Sequence, residues 1–141
     1  FIPMLMDTGG NSGSQACVSI IRGISLNEIE FRDLGRVVWK EIRVSVLCGV
    51  CLAVACFAKI VVVDMLLLKS ESVTYLVAFV VCATMAVTVC LAKIVGSTLP
   101  LLAKKLGFDP AVMASPIITT IVDFLSLLVY FAFATAILGI G

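Results

Sequence analysis

Asp123 is an ionisable side chain set inside the last apolar run of this 141-residue chain, where a carboxylate could attract and hold a cation. Asp109-Pro110 reads as a helix start, and at ~1.5 Å rise per residue Asp123 follows it by roughly 20 Å, near the middle of a hydrocarbon layer ~30 Å thick. A charge at that depth is expensive and is a functional hypothesis by default. At ~100° per residue, Ser115, Thr119, Asp123, Ser126 and Tyr130 fall within about 80° of one another, which predicts one polar stripe on an otherwise apolar helix. Three hydroxyls and a phenol beside a carboxylate fit a wet pathway. The alternative is a buried Asp bonded to a neighbouring helix for stability.

A second constellation is DTGGNSGSQ, Asp7 to Gln15. Gly9, Gly10 and Gly13 permit backbone that departs from helix and presents carbonyls, which a membrane tolerates where the backbone is buried in protein or lines a cavity. Asn11 and Gln15 would share a face if the chain is helical there. Broken helices offering carbonyls, amides and a carboxylate suit a hard cation with oxygen ligands. A phosphate-cradling loop is excluded by the missing Walker lysine and G-x-G-x-x-G pattern.

The elements that must position these residues follow from composition. The chain is 62% hydrophobic and 13% charged, against roughly half and a quarter in soluble domains. Apolar runs at 44–63, 73–95 and 111–139 each reach the ~20 residues that a membrane-spanning helix needs. Residues 1–22 are apolar at both ends but broken by the Gly-rich polar stretch, and because they start without an initiator Met they are read as the remaining half of a truncated span. The expected fold is an all-α multi-pass transmembrane bundle forming one domain, with 23–43 as a cytoplasmic or interfacial connection. Within that connection Ile29, Leu34, Val38 and Ile42 recur at helical spacing, which predicts a helix along the headgroups that then turns into the membrane, with Trp39 at the interface. An ordinary solvated linker helix is the alternative.

Basic residues cluster in two connections, Ile21 to Val44 and Leu102 to Pro110, while Asp64 to Ser72 leans acidic. The positive-inside rule puts both basic connections in the cytoplasm and the C-terminus outside, in the inner (plasma) membrane. Lys59 and Lys93 lie near the expected span ends and can snorkel. Small residues at every fourth position, Ser45-Gly49-Ala53 and Ala78-Cys82-Ala86-Cys90, mark faces for close helix packing. Cys48 and Cys51 form a C-x-x-C, yet with no His in the chain and apolar neighbours the cysteines read as packing residues. A net charge of +1 with dispersed basic residues gives no footprint for nucleic acid. No nucleophile–base pair supports an enzyme.

PMLMDTGGNSGSQ, Pro3 to Gln15, followed by Ile21-Arg22-Gly23, resembles the signature stretch of the MgtE family of Mg²⁺ channels, and DPAVMASPIITTIVD, Asp109 to Asp123, resembles that family's final span. The resemblance covers essentially the whole chain, with both motifs in family order. It implies a homodimer whose pore runs along the twofold axis between the family's second and fifth helices, with Mg²⁺ as the transported ion. This chain would then carry the end of the second helix and all of the third to fifth. The implied partners are the lipid bilayer and cytoplasmic Mg²⁺-sensing domains outside this stretch. The implied metal-contacting residues are Asp123 as pore carboxylate and Asn11 in the polar lining, with Asp7, Gly10, Gln15 and Thr119 beside them. Asp7 stands where some members have Gly. A proton- or sodium-coupled cation carrier and a non-transporting membrane anchor are the rival readings.

Overall fold

The structure is a computed structural model that describes residues 1–69, 73–113 and 116–139. Its elements are four helices: α1 (Ile2–Ser25), α2 (Leu34–Lys59), α3 (Tyr75–Lys105) and α4 (Pro116–Leu138). A π-helical stretch, Ile60–Leu67, prolongs α2, and short 3-10 turns at Phe31–Asp33 and Pro110–Met113 precede α2 and α4. No strand occurs among the described residues. Three of these helical stretches, Phe31–Leu67, Tyr75–Lys105 and Pro116–Leu138, are long and apolar enough to cross a membrane. With 24 residues, α1 is of similar length to α4, but its polar residues between Asp7 and Gln15 keep it out of that set.

The expected break at Gly9-Gly10 is not formed, because α1 is one continuous helix from Ile2 to Ser25. Its glycines serve close packing instead. A Cβ on Gly9 would stand 2.7 Å from the Thr88 Cγ2 and 3.0 Å from the Ser126 Oγ. A Cβ on Gly96 would run into the Gly13 carbonyl oxygen. Each glycine in a helix interior costs about 0.5–1 kcal/mol relative to Ala, and the compensation is backbone approach that no larger residue permits.

Such approaches make α3 the centre of the bundle. It packs on α1, α2 and α4, and α1 packs on α4, whereas α1 and α2 make little direct contact. Three apolar layers give the directions. Leu5 meets Cys56 and Cys82, Cys17 meets Ala92 and Val122, and Ile20 and Ile24 meet Val37 and Leu101. Position numbers thus rise together along α1 and α3 and fall along α2 and α4, an up-and-down arrangement with α1 parallel to α3. The two basic connections meet at one end, where the Lys105 Nζ lies 4.1 Å from the centre of the Phe31 ring. Of the acidic-leaning connection, Ser70, Glu71 and Ser72 lie outside the described residues.

The small-residue ladders do pack. A Cβ on Gly49 would lie 3.2 Å from the Ala86 carbonyl oxygen and 3.3 Å from its Cα, so the α2 ladder seats on the α3 ladder. All six cysteines are free, and Cys17, Cys56 and Cys82 are buried in apolar layers.

Other boundaries differ from the sequence expectation. The connection 23–43 is not a separate surface helix, since Leu34 to Arg43 form the first turns of the same continuous helix that carries residues 44–59. No proline interrupts that run, and hydrogen bonding continues across the change from charged to apolar composition. Trp39 is 63% exposed on it. α3 runs on past residue 95 through Pro100 to Lys105. Pro100 removes the backbone donor to the Gly96 carbonyl, yet the helix continues through it with Pro100 and Leu101 fully packed. α4 begins at Pro116 rather than Pro110, because Pro110–Met113 coils as a 3-10 turn with the Asp109 carboxylate accepting the Ala111 N–H at 2.9 Å.

Candidate functional site

α1 presents two polar flanks. Positions 7, 11 and 15 recur at four-residue spacing and share its outer face, so Asp7, Asn11 and Gln15 are all exposed. The opposite face, with Leu5, Gly9, Gly13, Ala16, Cys17 and Ile20, is buried against α3 and α4.

The first flank lies against α4. Thr119 and Asp123 face Gly10, where a Cβ would be 3.3 Å from the Thr119 Cγ2 and 3.6 Å from an Asp123 carboxylate oxygen. Because Gly10 ends at its backbone, α4 comes near enough to set Asp123 beside α1, half-buried and not sealed. Asp7 stands one turn earlier on α1, within electrostatic reach of the Asp123 carboxylate. Thr119 donates its hydroxyl to the Pro116 carbonyl at 3.0 Å. Since α4 starts at Pro116, Asp123 sits seven residues into the regular helix, about 10 Å along it, and not the 20 Å that a start at Pro110 implied.

The expected stripe on α4 is narrower than its angular spacing suggested. Ser126 is buried, bonded to the Val122 carbonyl at 2.7 Å, and Tyr130 packs on the Leu5 layer. Ser126 is thus closed into the bundle, while Tyr130 is half-buried against it. Ser115, the stripe's first member, lies outside the described residues.

The second flank of α1 opens toward α2. With α1 and α2 both resting on α3 and barely touching, a groove of about 320 Å³ remains between them. Its walls are Asp7, Thr8, Asn11, Ser12 and Gln15 from α1, with Cys48 and Leu52 from α2. Its floor is Lys93 of α3.

Lys93 is packed inside the bundle. It lies 8% exposed in the interior of α3, with its Nζ 3.9 Å from a carboxylate oxygen of Glu41, itself 6% exposed on α2. Lys59 is also paired, 2.7 Å from Asp64 on the π-helical stretch. Asp123 therefore has neither lysine as a partner. Sequence reasoning took Lys93 for a snorkelling residue because it ended the 73–95 span just past it, and it gave Glu41 no role because nothing in the spacing pairs residues of different helices. The apolar continuation Ile94–Leu102 was the available signal that Lys93 is interior.

Among the described residues no group of three or more His, Cys, Asp and Glu side chains is placed to hold a metal ion. The donors on offer are separate carboxylates, Asp123 and Asp7, with the amides of Asn11 and Gln15 and hydroxyls of α1 and α4. Such a wall can attract and hydrogen-bond a hydrated cation more readily than it can replace a full hydration shell, which is how Mg²⁺ tends to be held.

Comparison with known proteins places this arrangement. The chain is 34% identical over 136 residues to the magnesium transporter MgtE of Bacillus subtilis, a match that covers 96% of this chain and 28% of that protein. It is 33% identical over 138 residues to the magnesium transporter MgtE of Thermus thermophilus, covering 98% and 29%. A third magnesium transporter MgtE, from Enterococcus faecalis, is 31% identical over 135 residues, covering 96% and 28%. The chain thus spans less than a third of the length of these relatives. Residues 2–133 match the family model described as MgtE, divalent cation transporter. The chain therefore belongs to the MgtE family of divalent cation transporters.

Proposed function

We propose that these helices form the wall of a divalent-cation path with Mg²⁺ as the cargo, closed by a second copy of the chain. The observation that supports this most is the outer face of α1. Asp7, Asn11 and Gln15 are exposed on a helix embedded in an apolar bundle, with the Asp123 carboxylate beside them. In hydrocarbon such a face needs water or polar protein against it. Twofold pairing supplies both, bringing two copies of the face together around a wet axis.

In that setting Asp123, Asn11, Thr119, Gln15, Asp7 and the backbone at Gly10 are the groups that meet the ion. Mg²⁺ sheds water reluctantly, so the carboxylates attract it and the neutral oxygens hydrogen-bond its inner waters, leaving it mobile. A carboxylate attracts a divalent ion twice as strongly as a monovalent one at equal distance, and more in a site shielded from bulk water. The magnesium-transporter names of the relatives support the choice of ion.

Full-length protein in proteoliposomes, with equal pH across the bilayer and no Na⁺, is expected to sustain Mg²⁺ influx down its own gradient. Influx that appears only with an imposed proton or sodium gradient would replace the channel reading by a coupled carrier. No divalent influx from correctly assembled protein would end the proposal.

The orientation proposed is basic end inward and C-terminus outward in the plasma membrane, with residues 23–43 on the cytoplasmic side and its interface. Cysteines introduced at Glu28 and Leu106 are expected to label from the cytoplasm and one at Leu68 from outside. These exposed positions avoid the positive-φ residues Asn27, Lys69 and Gly107, where a replacement adds strain. Reversed labelling would invert the topology.

A further inference from the structure

The family comparison gives no role to the buried ion pair beneath the α1–α2 groove. Lys93 is 18 residues from the start of α3 and 12 from its end, and its ammonium is packed inside the bundle rather than turned out along the helix to solvent. Its partner Glu41 comes from a different helix, and the two side chains are 11% and 8% exposed. At 3.9 Å the contact is coulombic, longer than a charged hydrogen bond of ~2.7–2.9 Å. Lys93 nevertheless lines the groove whose other wall is Asp7, Asn11 and Gln15, whereas Glu41 is not part of that lining. Lys93 is thus the member of the pair that borders the groove, and Glu41 stands behind it.

The level of the pair matters as well. Ala92 lies against Gly13, and Asp123 lies against Gly10, so Lys93 stands about one helical turn from Asp123 along α1. An uncompensated ammonium at that level would repel a divalent ion approaching Asp123.

We propose that Lys93 is a charge in the wall of the cation path and that Glu41 is the positioning residue that neutralises it, so that the pair sets the field felt by a divalent ion beside Asn11 and Gln15. This rests on the cation-path reading above. A salt bridge that merely pins α2 to α3 would matter for assembly and leave the flux of each assembled molecule unchanged.

Glu41→Gln in the full-length protein is expected to lower Mg²⁺ influx per assembled molecule by about tenfold or more, because a unit charge roughly 10 Å from the ion is poorly screened in a partly dry groove. Adding Lys93→Gln removes the charge and should restore influx to near the wild-type rate. Recovery of folded protein with no recovery of influx per molecule would overturn the proposal, as would an undiminished rate in Glu41→Gln.

Because Glu41→Gln leaves a buried cation unpaired and can fail to assemble, a second measurement installs the charge after folding. Lys93→Cys with Glu41→Gln is prepared with Cys48, Cys51 and Cys90 changed to Ala. The remaining Cys17, Cys56 and Cys82 lie in apolar layers and do not line the groove, whereas position 93 does. Methanethiosulfonate-ethylammonium is expected to cut Mg²⁺ influx by about tenfold, and the ethylsulfonate reagent of opposite charge to leave or raise it. Equal effects of the two reagents, or no change in influx with either, would overturn the proposal. Asp123→Asn run in parallel separates the failures: if it abolishes influx while the reagents do nothing, the path stands and the role of the pair falls. If it leaves influx intact, the cation-path reading itself falls.

Discussion

Asp123→Asn is expected to reduce divalent-cation influx to below about one hundredth of the wild-type rate while leaving the assembled protein abundant. The replacement keeps the size and shape of the side chain, and the space it occupies beside Gly10, 3.6 Å from an added Cβ, accepts an amide as readily as a carboxylate. Neither Lys59 nor Lys93 depends on Asp123, since each has its own acidic partner, so the change strands no buried cation. What disappears is one negative charge per chain, facing the proposed path. A hundredfold loss corresponds to about 2.7 kcal/mol, well within the attraction between a divalent ion and a nearby carboxylate in a medium less polar than water. The measurement is Mg²⁺ and Co²⁺ influx per reconstituted molecule, with thermal midpoint and elution volume as controls for folding and assembly. Near-normal influx from assembled mutant protein would remove Asp123 from the path. A collapse in stability with no specific ion effect would make it a structural residue.

The largest effect on assembly is expected from Gly96→Val. A Cβ at Gly96 would overlap the Gly13 carbonyl oxygen and come within 3.0 and 3.1 Å of the Gly13 C and Cα. These are backbone atoms of a regular helix, so α1 and α3 must separate. Replacing a helix-interior glycine by alanine gains up to about 1 kcal/mol of propensity, but overpacking a tight contact costs about 1–3 kcal/mol, and valine adds two methyls to the clash. Loss of most monodisperse protein in mild detergent is the expected result. Gly10→Ala is the control, because its Cβ would meet a Thr119 methyl at 3.3 Å, a side chain that can shift. That variant should assemble at near wild-type yield. A wild-type midpoint for Gly96→Val would show that α1 and α3 do not approach this closely.

Helix number and type were legible in the sequence because lipid leaves the backbone few options. Every polar backbone group must be satisfied internally, so apolar runs of sufficient length at 44–63, 73–95 and 111–139 had to be helical, and their ladders of small residues had to be where helices meet. The residues proposed for ion contact stood out in the sequence for a related reason, since polar and charged groups inside such runs have few structural uses. The ends of the helices were not. Leu34, Pro100 and Pro116 mark real continuations or starts that composition alone misplaced, because hydrogen bonding follows backbone geometry and not the boundary between charged and apolar residues.

The glycines of Asp7 to Gln15 show the same limit from the other side. Their sequence permits a broken helix or a close contact equally, and the presence of α3 and α4 against Gly9, Gly10 and Gly13 decided for contact. Tertiary packing also split the α4 stripe, burying Ser126 and resting Tyr130 on the Leu5 layer while leaving Thr119 and Asp123 beside Gly10. It paired Glu41 with Lys93, 52 positions apart in the chain. By itself, the sequence determined that these helices lie in a membrane and carry oxygen donors suited to a hard cation. Only the way α1, α2 and α4 seat on α3 determined which of those donors share a face, because a helix fixes the angle between its own residues and its neighbours fix which angle is covered.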